Sequence, residues 1–173
     1  LLRDITEMGL GSGTEYLDPI TPQYIGDLVC WSAIGARTTE SQIHRQLASG
    51  LSCPVGFKNS TRGDIKVAVD AVLSARHTHI FPSVTKAGQS AIFSTTGNDD
   101  CHVILRGGRE PNFDEASVQA GCDLLAEAKL PGRLMVDLSH ANSSKDHERQ
   151  KIAGAAVAEQ FKSPHQNVLG VMI

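Results

Sequence analysis

Apolar positions along the chain fall into short strand-like runs separated by longer stretches of helical spacing, and the two kinds alternate. Leu1 to Ile5 reads as the last turns of a helix ending near Gly9, and Gly13 to Asp18 as a short strand carrying Glu15. A turn containing proline leads to a helix-like segment from Thr21 to Leu28, and then to the apolar run Trp31 to Ala36. Thr39 with Gln42 has the spacing of a capping box, which predicts a helix over 39–49 with Ile43, Leu47 and Leu51 on one stripe. Cys53 to Phe57 is a strand ending in Lys58. Thr61 with Asp64 has N-cap spacing for a third helix, whose buried face is Ile65, Ala68, Val69 and Val72, ending near His77.

Between His79 and Asp99 the alternation is interrupted. Ile80 to Thr85 and Ala91 to Thr96 are strand-like and flank Lys86-Ala87-Gly88-Gln89, which predicts an inserted β-hairpin over about 80–96. The alternation resumes with His102 to Leu105, ending in Arg106-Gly107-Gly108. A helix follows over 114–128, its start signalled by Asn112 with Glu115. Leu134 to Leu138 is a strand running into Ser139-His140-Ala141-Asn142, and a last helix over 146–161 leads to the apolar run Asn167 to Ile173.

Strands followed by helices at this spacing imply parallel pairing, and apolar strand runs imply burial on both faces. An α/β (β/α)8 TIM barrel is the best match, with a doubly wound open sheet as the alternative. Six strand candidates stand outside the hairpin, so a closed barrel needs two more. Residues 1–173 are therefore expected to be one incomplete barrel catalytic domain, cut at both ends. Gly9, Gly11 and Gly13 precede their strand, so they make no dinucleotide fingerprint.

Composition narrows the function classes. A hydrophobic content of 40% is ordinary for a globular chain, and a net charge of -3 gives no general attraction to nucleic acid or an anionic membrane. No apolar run approaches the ~20 residues that a membrane helix needs. Cys30, Cys53, Cys101 and Cys122 stand far apart without C-x-x-C spacing, which favours reduced thiols and the cytoplasm.

The candidate chemistry sits at strand ends. Arg37, Lys58, Arg106 and His140 each follow a separate strand, and in a parallel barrel those ends form one rim. Cations gathered there call for an anionic substrate carrying phosphate or carboxylate groups; the plainer reading is that some of them pair with acids such as Glu15 or Asp137. A helix starting at Thr39 would set its N-terminal N–H groups beside Arg37. Lys58 could form a Schiff base with a carbonyl substrate, as in a metal-free aldolase, whereas His140 beside Asp137 and Asn142 could bind a divalent metal. The residues leave both open. The other histidines (His44, His77, His79, His102, His147 and His165) are assigned no chemistry.

Four segments carry a family resemblance: Ile-Gly-Ala-Arg-Thr-Thr-Glu-Ser-Gln at 34–42, Pro-Val-Gly-Phe-Lys-Asn at 54–59, Gly-Asn-Asp-Asp-Cys-His-Val-Ile-Leu-Arg-Gly-Gly at 97–108 and Asp-Leu-Ser-His-Ala-Asn-Ser-Ser-Lys at 137–145. In this order, and with the inserted hairpin, the whole chain resembles the microbial type I 3-deoxy-D-arabino-heptulosonate-7-phosphate synthases. The resemblance implies a metal-dependent (β/α)8 barrel that condenses phosphoenolpyruvate with erythrose 4-phosphate and water, the entry step to the aromatic amino acids. It assigns the phosphate of phosphoenolpyruvate to Arg37, Arg106 and the backbone N–H of Ala36. Lys58 would meet the carboxylate side and assist proton transfer, and Glu15 would line the pocket.

His140 would be one ligand of a divalent metal of Mn, Fe, Co or Zn type. The family's remaining ligands, a cysteine, a glutamate and an aspartate, are not in this chain, and neither is its Lys-Pro-Arg-Thr motif. The chain by itself is accordingly expected to be catalytically silent. The resemblance also implies a homo-oligomer with an inhibitor pocket for an aromatic amino acid, formed by Gln23, Leu47, Leu51, Ser52, Phe81 and Ser83, with Ser83 favouring phenylalanine. The alternatives to this enzyme are a Schiff-base aldolase using Lys58 and a non-catalytic phosphate-binding remnant.

Overall fold

Buried apolar runs become strands here, and the stretches of helical spacing between them become helices. The computed structural model describes residues 1–162 and 167–173; His165 lies outside them. Among the described residues the elements are α1 (Leu2–Glu7), β1 (Gly13–Glu15), α2 (Pro22–Ile25) with a 3₁₀ turn (Gly26–Leu28), β2 (Trp31–Ile34), α3 (Gln42–Ala48), β3 (Val55–Lys58) and α4 (Lys66–Ala75). The hairpin β4 (Ile80–Val84) and β5 (Ser90–Ser94) follows, and then β6 (Cys101–Leu105), α5 (Glu115–Glu127), β7 (Leu134–Asp137), α6 (Gln150–Gln160) and β8 (Val168–Met172).

The hydrogen-bonded strand order is β1-β2-β3-β6-β7-β8, with the hairpin as a separate two-stranded sheet. Strand order follows chain order without reversal, which is the succession of a (β/α)8 barrel. A doubly wound sheet would reverse at a switch point. Six strands of such a barrel are present. No helix among the described residues is long and apolar enough to cross a membrane.

The chain divides into two compact units: Leu1–Phe57 with Ala71–Cys101, and Lys58–Asp70 with His102–Ile173. In the first, β1 pairs parallel with β2 (Gly13↔Trp31, Glu15↔Ala33) and β2 with β3 (Ser32↔Val55, Ile34↔Phe57). Ile34, Val55 and Phe57 are fully buried. In the hairpin Phe81 pairs with Phe93, their rings stacked at 6.2 Å, and Gly88 supplies the positive φ of +76° that its turn requires.

Helix α3 corrects the sequence reading twice. It begins at Gln42, with Ser41 at the N-cap position, because the Thr39 hydroxyl is spent on the Gly35 carbonyl (3.0 Å) in the preceding turn. Its inward face carries His44 and Ala48, while Ile43 is exposed and Leu47 half-buried, so the predicted stripe of Ile43, Leu47 and Leu51 is not its core face. His44 can face inward because its ring nitrogens meet Ser41 Oγ (2.8 Å) and the Leu17 carbonyl (3.2 Å).

In the second unit β6 pairs parallel with β7 (Val103↔Leu134, Leu105↔Val136) and β7 with β8 (Asp137↔Met172). Val103, Leu105, Leu134 and Val136 are fully buried, with Leu125 of α5 and Val157 of α6 close to it. Asp114, and not Asn112, caps α5: its carboxylate accepts from Ser117 N at 3.0 Å and from Ser117 Oγ at 2.6 Å. Burial opposes ionisation there, but the Ser117 hydrogen bonds outweigh it and hold the carboxyl below its ordinary range. A lowered folded-state value makes this contribution complete above the ordinary carboxylate range and lost as pH falls through the lowered one. Asp114→Ala should therefore cost about 1 kcal/mol in urea unfolding at neutral pH, and the difference should narrow on acidification.

Candidate functional site

The ends of β3 and β7 meet in a buried ion pair. Lys58 closes β3 and Asp137 closes β7, and Nζ of the first lies 3.3 Å from Oδ2 of the second, with both side chains almost wholly buried. His140, in the turn beyond β7 at φ +53°, brings Nδ1 to 2.8 Å from the same oxygen. Asp137 Oδ1 accepts from the Ser139 N–H at 2.8 Å, whereas Oδ2 makes its two close contacts without the angles of a hydrogen bond. For Lys58 the plainer reading of the sequence is the one that stands: it has Asp137 as partner and is not one of a set of bare cations. The pair unites two strand ends far apart in sequence.

Arg106 is the other buried cation. It follows β6 directly and is 9% exposed; among the described residues its Nε has no hydrogen-bond partner, and Nη1 reaches only the Gly107 carbonyl at 3.5 Å. A guanidinium held out of water with an unsatisfied donor is costly unless an anion completes it. Its backbone is better served, since the N–H donates to Asn59 Oδ1 (2.8 Å) and the carbonyl accepts from Ala141 N (3.2 Å). Asn59, Asn112 and Asn142, all buried, surround this turn. Only Asn142 entered the sequence reading of the site, and Asn112 was placed at a helix start. The available signal was an asparagine directly after Lys58 and another soon after Arg106.

Gly107 is where the turn is tightest. Its φ is +76°, and a Cβ there would stand 2.7 Å from the Asn142 nitrogen and 2.8 Å from Ala141 Cβ. Gly107→Ala should destabilise the protein by about 2–4 kcal/mol, from left-handed backbone strain plus the clash, read as a lower urea midpoint.

The fit to a metal is incomplete. Among the described residues there is no group of three or more His, Cys, Asp and Glu side chains that could hold an ion. With Nδ1 turned to Asp137, His140 has Nε2 as its ligating atom, and one or two donors do not make a site.

Glu15, Ala36 and Arg37 belong to the first unit, and Lys58, Arg106 and His140 to the second. Arg37 is exposed in the turn between β2 and α3, and α3 starts only at Gln42, so the expected helix N-terminus does not adjoin it. Glu15 ends β1, where a Cβ on Gly35 would collide with its Oε1.

The first unit also holds a cavity of about 620 Å³, lined among others by Gln23, Leu47, Leu51, Ser52, Phe81 and Ser83. All six residues named from the resemblance thus face one space. The hairpin is tied to its walls by Tyr24 Oη donating to the Lys86 carbonyl (2.9 Å) and by Ser49 Oγ against Thr95 Oγ1 (2.7 Å). Asn98 Nδ2 donates to the carbonyls of Ala48, Leu51 and Cys53 (3.0–3.2 Å), fixing the chain between α3 and β3. Phe93 lines the cavity as well; its register opposite Phe81 was the available signal.

Comparison with known proteins bears on the whole chain. Residues 2–173 match the model of the DAHP synthetase I family. The chain is 56% identical over 173 residues to the Phe-sensitive phospho-2-dehydro-3-deoxyheptonate aldolase of Escherichia coli K12, covering 100% of this chain and 49% of that protein. It is 53% identical over 173 residues to the Trp-sensitive protein of Enterobacter agglomerans, covering 100% of this chain and 50% of that one. The solved phospho-2-dehydro-3-deoxyheptonate aldolase of Francisella tularensis SCHU S4 superposes with a TM-score of 0.97 at 53% identity, over 99% of this chain and 50% of that structure. The chain spans about half the length of the curated relatives it matches. With the family model matched over residues 2–173 and whole-chain identities of 56% and 53%, this chain belongs to the DAHP synthetase I family.

Proposed function

We propose that this chain forms the phosphoenolpyruvate-binding part of an enzyme that condenses phosphoenolpyruvate with erythrose 4-phosphate and water, giving 3-deoxy-D-arabino-heptulosonate 7-phosphate and phosphate. The observation that carries this is Arg106, a buried guanidinium with an unpartnered Nε, placed one hydrogen bond from the residue after Lys58. The relatives' names, aldolases of phospho-2-dehydro-3-deoxyheptonate, support the same reaction. The four free cysteines suit the cytoplasm.

Arg106 donates to the phosphate of phosphoenolpyruvate, and the family resemblance assigns Arg37 and the Ala36 N–H to the same group. Charge-assisted donors hold that phosphate and stabilise it as it leaves. Lys58 faces the carboxylate side of the substrate, and Asp137 keeps its Nζ in place at 3.3 Å for the proton transfers that accompany carbon–carbon bond formation and hydration. Glu15 lines the pocket. A divalent metal in the full-length enzyme would take His140 as its ligand from this chain and would supply Lewis-acid activation of the aldehyde; the described residues do not by themselves hold an ion.

The test is a turnover assay of the full-length enzyme, following substrate consumption, seven-carbon product and phosphate release, with and without chelator. Metal-dependent formation of all products is expected. A covalent adduct on Lys58 after borohydride treatment with substrate would establish the Schiff-base aldolase instead.

The 620 Å³ cavity is the inhibitor site in this reading. Apolar Leu47, Leu51 and Phe81 suit a ring, and Gln23, Ser52 and Ser83 suit a zwitterion. Phenylalanine should inhibit the full-length enzyme at lower concentration than tyrosine or tryptophan; a stronger effect of tyrosine would overturn the choice of effector.

A further inference from the structure

The asparagines around Arg106 form a closed system whose parts come from three loops. Asn59 Oδ1 accepts from Arg106 N (2.8 Å) and from Asn112 Nδ2 (3.3 Å), while its Nδ2 donates to the carbonyls of Ser60 (2.9 Å) and Gly107 (3.0 Å). Asn112 Oδ1 accepts from Gly107 N (2.7 Å), and Asn112 N donates to Asn142 Oδ1 (2.8 Å). Asn142 Nδ2 completes the circuit on the carbonyls of Leu105 (3.2 Å) and Asp137 (2.7 Å).

Two consequences follow from this connectivity. The peptides on both sides of Arg106 are fixed by amide side chains, so the point and direction at which its guanidinium leaves the backbone are fixed as well. The residues held are also those of the candidate site: Asn59 succeeds Lys58, and Asn142 grips the carbonyl of Asp137, the partner of both Lys58 and His140. Asn112 joins the other two while being remote in sequence from Lys58, Asp137 and His140.

We propose that Asn112, acting through Gly107 N and Asn59, is a positioning residue that sets the Arg106 guanidinium for the phosphate of phosphoenolpyruvate. This rests on the binding role given to Arg106 above. A well-packed cap or core amide would affect only how much enzyme is folded; a positioning residue changes affinity for one substrate and not the other.

Steady-state kinetics of the full-length enzyme carrying Asn112→Ala, Asn112→Asp or Arg106→Ala separate these cases. Asn112→Ala loses both side-chain bonds and should raise KM for phosphoenolpyruvate about tenfold, with KM for erythrose 4-phosphate unchanged. Asn112→Asp keeps the acceptor for Gly107 N and loses the donor to Asn59, so a rise of about threefold is expected. If the alanine variant fails to fold, the aspartate variant decides by the same criterion. An unaltered KM for phosphoenolpyruvate in a folded Asn112 variant, with Arg106→Ala raising it, overturns the positioning role alone. An unaltered value in Arg106→Ala overturns the binding role on which it rests.

Discussion

Arg106→Ala in the full-length enzyme should weaken phosphoenolpyruvate binding about a hundredfold while changing unfolding free energy by no more than about 1 kcal/mol. The binding loss follows from removing a charge-assisted contact between a buried guanidinium and phosphate, on the order of 3 kcal/mol. Stability should hardly move, because the deleted group is already badly served: among the described residues its Nε has no partner, and Nη1 has only a long 3.5 Å contact to the Gly107 carbonyl. Taking away a buried donor that lacks an acceptor relieves a desolvation cost, which offsets the lost packing of the side-chain stem. Isothermal titration with phosphoenolpyruvate beside urea unfolding measures both halves. A large loss of stability with unchanged affinity would make Arg106 a structural residue and remove the chief support for the proposed function.

Asp137→Asn should have the largest effect on the fold itself, a loss of about 3–5 kcal/mol, because it removes the carboxylate charge that faces the buried Lys58 at 3.3 Å. The substitution preserves shape and the acceptor for Ser139 N, so the loss reports on charge and not on cavity formation. Adding Lys58→Met to the same background should restore most of the stability, since replacing both members of a buried pair by groups of similar volume is close to neutral. It should not restore turnover, because Lys58 is the residue assigned to the carboxylate side of the substrate. Unfolding of the two single variants and the double variant forms a cycle with an expected coupling of about 3 kcal/mol; strictly additive effects would show that Lys58 and Asp137 do not act as a pair.

Much of the architecture was legible because a parallel strand buried on both faces must be an apolar run, and such runs are visible at Trp31 to Ile34, Val55 to Phe57, Val103 to Leu105 and Leu134 to Val136. Lys58 and Arg106 stood out for the same reason, as charges at the abrupt ends of those runs. The misreadings are of another kind. Thr39 and Asn112 each stand where a helix cap is expected, and each spends its side chain elsewhere: Thr39 on the Gly35 carbonyl, Asn112 on Gly107 N and on Asn59. A short polar side chain near a helix start looks alike in sequence whichever backbone group it serves. Periodicity locates an apolar stripe containing Ile43 without saying which neighbour covers it, and His44 turns inward because each of its ring nitrogens finds a hydrogen-bond partner.

By itself, then, the sequence determined the alternation of strands and helices, the inserted hairpin, the cations at the strand ends and membership of a family, all of which depend on local pattern and composition. Tertiary structure alone decided which of those cations has a partner. It joined Lys58 to Asp137 across two strand ends, buried Arg106 without completing its guanidinium, and set three asparagines from separate loops around one turn. It also brought Gln23, Leu47 and Phe81 to one cavity. The physical reason is the range of the interactions: strand and helix signals arise between near neighbours along the chain, whereas ion pairing, desolvation and amide networks depend on distances in space that no local pattern encodes.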